Sequence, residues 1–166
     1  MAGALLGLML KGSEAVMRSL VLNPLAAEPM TRFLTKSALA VEGQARENLT
    51  ATRDTGRLQS SITSSVDTSP MPRWARVGTN LSYAKVHHEG RPKGSHPPAP
   101  EELAGWARRH GFATDRGTLY VLARKIGKKG TKGTKFLTKA LKERKGRIDG
   151  YARECMVEIA RRWGRI

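Results

Sequence analysis

The hydrophobic period of this chain changes at residue 54, and that change constrains the fold more than any other feature of the sequence. Upstream of it, starting from Pro29, apolar residues recur every three or four positions, at Leu34, Ala38, Val41, Ala45 and Leu49. This spacing predicts one long amphipathic helix. Downstream, apolar residues recur at even spacings, at Leu58, Ile62 and Val66, which predicts a half-buried strand. A long helix followed by a β-element indicates an α+β fold.

Four residues, Asp54, Thr55, Gly56 and Arg57, occupy the corner between the two patterns. An aspartate carboxylate can accept a hydrogen bond from a backbone N–H two residues on, and glycine can take the positive φ that a tight turn requires. These properties account for a helix-to-strand corner without any partner. We therefore expect this turn to stabilise the fold rather than to contact another molecule.

The segment after the predicted strand favours a second one. Residues Trp74–Val77 predict a short return strand, antiparallel to the first, and Tyr83–Gly90 predicts either a helical turn or a strand. A proline-rich stretch from Arg91 to Pro100 predicts a loop, because proline cannot join the interior of a sheet. The sequence therefore predicts a small antiparallel sheet followed by an irregular excursion.

Three further helices are predicted toward the C-terminus. The first begins at Pro100, and we expect it to turn Leu103, Trp106 and Ala107 inward. The second spans 118–126. The third begins at residue 136 and is long, with two glycines at which it could break, Gly146 and Gly150.

We expect a single domain in which the long helix and the C-terminal helix pack on a small, mainly antiparallel sheet, with a helical insertion. Its predicted parts are an N-terminal helical extension (1–25), a helix plus β-hairpin (26–90), an inserted loop with short helices (91–130) and the C-terminal helix (131–166). The extension is predicted as helical because apolar residues share one face, namely Leu6, Met9, Val16, Met17 and Leu20. It is not predicted to be an export signal, since its first cation, Lys11, follows the apolar run, nor is the run long enough to span a membrane.

The charge balance is strongly basic. The chain has 30 Lys and Arg residues against 14 Asp and Glu residues, a formal net charge of +16, which indicates a polyanionic or acidic partner. Between Val121 and Arg147, eleven cations face one acid. Four of them lie in a glycine-rich run that predicts a flexible connector and a candidate basic loop facing DNA or a protein partner: Lys128, Lys129, Lys132 and Lys135.

Residues suited to catalysis are few. The single cysteine, Cys155, lies on an apparent core stripe, and the neighbours His87, His88 and Glu89 lack a metal-ligand spacing. We therefore expect no enzyme activity, no cofactor and no metal. Two alternatives stay open: RNA binding through a KH-type G-x-x-G clamp at residues 127–130, and a metal-dependent nuclease built on the two histidines and the glutamate.

Three segments in order resemble a family of bacteriophage proteins. They read D-T-G-R-L-Q-S-S-I at 54–62, Y-A-K-V-H-H-E-G at 83–90 and K-F-L-T-K-A-L at 135–141. The chain thereby resembles the gene-product-ten-like putative tail components of long-tailed phages, whose blocks typically read D-T-G-x-L-x-x-S-I, Y-A-x-x-x-E-x-G and P-F-L-x-x-A-L. Each block alone is a weak signal, and their order makes the resemblance more specific.

The resemblance implies a non-enzymatic structural protein of the virion neck. Such a protein would complete the tail by joining the DNA-filled head to it, as a homo-oligomeric ring expected to be a hexamer. Its partners would be the connector or head-completion proteins on one side and the tail-terminator or tail-tube proteins on the other, with non-specific contact to genomic DNA and no membrane. Its location would be the virion, and the host cytoplasm during assembly.

Overall fold

The computed structural model describes residues 6–11, 24–70 and 72–164. Its architecture is α+β, as the sequence predicts. Six α-helices are described: α1 (Ala27–Asn48), α2 (Arg57–Ser60), α3 (Ala84–Glu89), α4 (Pro100–Arg109), α5 (Arg116–Lys129) and α6 (Phe136–Trp163). Five strands are described: β1 (Leu6–Lys11), β2 (Thr63–Val66), β3 (Trp74–Thr79), β4 (Gly90–Arg91) and β5 (Thr131–Lys132). No helix among the described residues is long and apolar enough to cross a membrane.

The chain divides into two compact units. One, the helix–sheet unit, takes the described residues up to Ser82 and those from Phe136 onward. The other, the inserted unit, is Tyr83–Lys135. The inserted unit thus begins before and ends after the 91–130 insertion that the sequence predicts.

The core of the helix–sheet unit lies along α1. This helix packs against α6 and against strands β2 and β3. Its predicted apolar positions are buried, and Leu34, Ala38 and Val41 are each about 1% exposed. At about 25 cal/mol per Å² of apolar area, a fully buried Leu or Val side chain contributes roughly 1.5–3 kcal/mol, and a buried alanine less. The apolar residues of α1 therefore recur every three or four positions because they form the face that packs in the core.

Ion pairs join the first turns of α1 to the last turns of α6. Arg162 donates to the carboxylates of Glu28 and Glu158, at 2.8 Å each, and Arg32 pairs with the same two acids. Hydrogen bonds from both arginines lower the pKa of Glu28, with that from Arg162 the larger cause. These pairs are largely exposed, so they contribute little, and they lie beside the buried cluster of Ala26, Met30, Cys155 and Ile159 that joins the two helices.

Strand β3 is the centre of a three-stranded antiparallel sheet in the order β1-β3-β2. The β2–β3 hairpin confirms the predicted return strand. Strand β1 corrects the predicted N-terminal helix over 1–25: Leu6 pairs with Thr79 and Lys11 with Trp74. Glycine disfavours a helix interior, and the other edge of β3 offers the backbone hydrogen bonds that an isolated strand lacks. The remaining helical prediction, over 12–23, lies outside the described residues.

The predicted strand over Leu58–Val66 is wrong in its first half. Residues 57–60 form the helical turn α2, and the strand begins only at Thr63. Leu58 and Ile62 are four residues apart, a spacing that places two side chains on one face both of a helix and of a strand. The period alone could not separate the two structures.

The C-terminal helix is continuous. Helix α6 runs over 28 residues through Gly146 and Gly150, the two glycines at which the sequence left a break open. Packing of its apolar side on α1 offsets the low helix propensity of these glycines.

Cys155 lies on the side of α6 that packs on α1. It is 6% exposed, and its Sγ lies 3.8 Å from the Sδ of Met30. Burial raises the pKa of this thiol, which therefore packs as a small apolar group.

Candidate functional site

The glycine–lysine segment, residues 127–135, lies antiparallel beside residues 87–97 of the inserted unit. Strands β4 and β5 pair at the centre of this arrangement. Backbone hydrogen bonds extend this antiparallel pairing beyond the two strands in both directions. The amide of Gly94 donates to the carbonyl of Gly127 at 2.9 Å, and the amide of Thr134 donates to the carbonyl of His87 at 3.1 Å. The segment is thus held along its whole length by backbone contacts.

A glycine at every third position makes this close approach possible. A Cβ at Gly130 would meet the backbone of Arg91, and one at Gly133 would meet the backbone of Glu89. A Cβ at Gly127 would lie 3.0 Å from a carbonyl oxygen of the facing residues. Gly130 also has a φ of +69°, in the region that favours glycine. The three glycines are the contact side of the segment.

The four lysines are its exposed side, and together we call them the basic surface: Lys128, Lys129, Lys132 and Lys135. All four are exposed. The first two end helix α5, the third lies in β5 and the fourth directly precedes α6. The predicted flexible connector is therefore wrong, because glycines that look like flexibility in the sequence are contact positions in the fold. The predicted helix over 118–126 is longer than expected and includes the first two lysines.

No acidic side chain among the described residues pairs with the basic surface. Ion pairs such as Lys36–Glu154 and Arg46–Glu42 lie in the helix–sheet unit. In the inserted unit, Lys and Arg outnumber Asp and Glu twelve to four, and α5 contains no acid at all. The potential over the basic surface is therefore positive and uncompensated by the unit's own carboxylates.

Lys135 has an unusual backbone. Its φ is +54°, and it is the one non-glycine residue with positive φ in the described part of the chain. Its amide donates to the carbonyl of His88 at 2.9 Å. Proline, which the family pattern has at this position, cannot adopt that φ. A lysine in a conformation that favours glycine or asparagine is a strained position of the kind that concentrates at functional sites.

The G-x-x-G at residues 127–130 has no loop geometry. Its first glycine is buried in the last turn of α5, and its last is the C-cap of that helix. A KH-type clamp is a loop that holds four nucleotides of backbone. The structure instead uses both glycines for contacts within the inserted unit.

The histidine cluster is held by local contacts. The Nδ1 of His87 lies 3.2 Å from the hydroxyl of Thr134, and His88 is buried. Desolvation lowers the pKa of both imidazoles. No three His, Cys, Asp or Glu side chains gather into a metal-binding group within the part of the chain that the structure describes.

The corner at Asp54–Arg57 has the predicted backbone conformation. Gly56 has a φ of +78° and is the N-cap of α2. Side chains tie the residues that follow the corner to the end of α1, since Arg46 donates to the carbonyl of Ile62 at 2.7 Å, and Gln59 donates to the carbonyl of Arg46 at 2.9 Å. These contacts are those of a structural corner.

One surface feature was not predicted. Trp106 was expected to face inward, but it is 38% exposed and stacks on His110, with ring centroids 4.3 Å apart. Phe112 adds a third ring, 5.6 Å from that of Trp106. Gly111, with a φ of +74°, ends α4 and turns the chain back so that Phe112 reaches Trp106. In the sequence, Gly111 within R-R-H-G-F was the signal from which this reversal of the chain could have been predicted.

Comparison with known proteins adds no relative: the chain matches no protein-family model, no curated protein and no solved structure.

Proposed function

We propose that this chain is a structural component of a bacteriophage neck that completes the tail by joining it to the DNA-filled head. The observation that carries the proposal is the order of the three sequence blocks, each of which lies at a specific corner of the fold. The first contains the left-handed Gly56 and the turn α2. The second ends α3 at Gly90, with a φ of +84°. The third opens α6 with the buried Phe136.

The fold supports a structural role in a second way. Both units carry a surplus of cations, with 18 Lys and Arg against 10 Asp and Glu in the helix–sheet unit and 12 against 4 in the inserted unit. Ion pairs such as Arg32–Glu28 and Arg162–Glu28 join charges of the helix–sheet unit. Copies with this excess of positive charge repel one another, and a polyanion, an acidic protein or salt relieves that repulsion. The interior of a neck, with genomic DNA passing through it and other proteins above and below, supplies such surroundings.

The proposed assembly is a homo-oligomeric ring of six copies. Its neighbours are the connector or head-completion proteins on the head side and the tail-terminator or tail-tube proteins on the tail side. The proposal includes no catalytic step and no cofactor. It locates the chain in the virion, and in the host cytoplasm while particles assemble.

The experiment is a density map of the neck of intact particles that contain this chain. We expect the described fold to dock as a ring between the head connector and the tail tube. A map that accounts for every ring of the neck with other chains would overturn the proposal.

A further inference from the structure

We propose that the basic surface binds the phosphate backbone of duplex DNA, without reading its sequence. The lysines lie on one exposed segment, and the glycines between them fix its backbone against the facing residues. That the phosphate belongs to duplex DNA, and that this duplex is the phage genome, rests on the proposed function; that the surface binds a phosphate backbone does not.

The composition of the surface favours phosphate over a protein partner. Its charged residues are all lysines, which are depleted at protein–protein interfaces, whereas arginine and aromatic residues are enriched there. The segment contains no apolar side chain between Gly127 and Lys135 to serve as an anchor: the residues between the lysines are glycine and threonine. A protein partner would find charge and no buried contact.

Lysine also matches the ligand chemically. Its ammonium is a compact charge on a flexible stem and contacts phosphates as a point charge, without the fixed fork with which arginine reads carboxylates or guanine edges. The surface therefore holds the backbone of any duplex equally. A duplex that must move past the surface requires that property.

The rigid backbone adds to the binding. Residues 127–135 are already fixed by hydrogen bonds such as that from Gly94 to Gly127, so binding orders only the lysine side chains. Preorganisation of this kind lowers the entropy lost on binding. A disordered basic tail of equal charge would lose more conformational entropy on binding.

The test measures binding of the full chain to a random-sequence DNA duplex by fluorescence anisotropy over a range of salt concentrations. Each phosphate contact contributes about 0.9 to the slope of log affinity against log salt. We expect the substitution Lys→Gln at all four positions to reduce the slope by about 3 to 4, and to weaken binding at low salt by at least about 100-fold.

Two control variants match this one. The first replaces four exposed cations of the other unit, as Arg53→Gln, Arg73→Gln, Arg76→Gln and Arg161→Gln, and removes the same net charge. We expect it to keep nearly all of the slope. The second replaces the same four lysines by arginine, which preserves the charge, and should bind duplex DNA with the wild-type slope.

Three outcomes would overturn the inference. They are an equal loss of slope in the two Gln variants, a wild-type chain that binds polyglutamate but not DNA, and a preference for one duplex sequence. The proposed function is tested separately by the density map. A chain that binds DNA but is absent from the neck contradicts the function alone, and a neck protein that does not bind duplex DNA contradicts the inference alone.

Discussion

Gly130 satisfies two constraints at once. Its φ is +69°, and a Cβ there would lie 2.9 Å from the backbone of Pro92. Gly94 has a similar φ, +76°, but a Cβ there would meet nothing within 4 Å. Both glycines have a positive φ that disfavours a Cβ, but at Gly130 the ψ of −175° also lies in a region that is essentially restricted to glycine, and a Cβ there would meet neighbouring backbone.

We expect Gly94→Ala to lower the free energy of unfolding by about 1–2 kcal/mol, the cost of a left-handed conformation for a residue with a Cβ. Gly130→Ala should lower it by about 1–3 kcal/mol more, since its φ and ψ suit only glycine and the neighbouring backbone must also shift. Urea denaturation of both variants measures the difference. Equal losses would show that the segment from 127 to 135 does not need its close packing.

Gly56 tests the role assigned to the corner. Gly56→Val should destabilise the chain by about 1–3 kcal/mol, because a β-branched residue is strained at a φ of +78°. Gly56→Asn is the matched control, because asparagine tolerates this conformation. We expect this variant to lose less stability than Gly56→Val. Thermal unfolding compares them. A valine variant as stable as wild type would assign the corner a role other than folding.

At the scale of elements, two helical glycines have opposite surroundings. A Cβ at Gly146 in α6 meets nothing within 4 Å, whereas one at Gly127 in α5 lies 3.0 Å from the carbonyl oxygen of Ser95. Gly146→Ala should stabilise the chain by about 0.5–1 kcal/mol through helix propensity. Gly127→Ala should destabilise it despite the same gain. Chemical denaturation checks both signs, and two stabilised variants would contradict the packing described for Gly127.

The pairing of α1 with α6 predicts a pH dependence. Glu28 has a pKa below its ordinary value of 4.5, chiefly because Arg162 donates a hydrogen bond to it. The carboxylate therefore stabilises the fold fully above pH 4.5, and this contribution is lost as the pH falls through the lowered pKa. Glu28→Gln and Arg162→Gln should each reduce the loss of stability between about pH 5 and pH 3. Denaturation midpoints across that range measure it, and parallel curves for wild type and variants would contradict it.

Elements with long, unambiguous periods could be predicted from the sequence. Helix α1, the β2–β3 pair and helix α6 follow from repeated apolar spacing, which packing then satisfies. The first half of the predicted strand at Leu58–Val66 could not be, because its spacing of four suits two structures. Strand β1 could not be either: its partner β3 lies more than sixty residues away, and local propensity carries no information about that edge.

The charge of the candidate site could be predicted from the sequence, but its fixed backbone conformation could not. The four lysines are visible in the sequence, and so is the absence of acids near them. Their glycine neighbours suggest flexibility when read locally. Only the fold shows that Gly130 and Gly133 contact the backbone of residues 89–91.

At the scale of the whole molecule, the net charge bears on the proposed ring. A sixfold ring would bring six chains of +16 together, and they would repel one another unless surrounding anions neutralise them. We expect the purified chain to elute as a monomer at physiological salt and to form rings only on a connector or tail end. Size-exclusion chromatography with light scattering measures this. A stable isolated hexamer would show that assembly needs no template.

The most direct test of the proposed neck function is electron microscopy of particles assembled with and without this chain. In its absence we expect DNA-filled heads and separate tails that do not join, and joining should return when the wild-type chain is supplied in trans. Infectious, tailed particles that form and retain their genome without the chain would contradict the account.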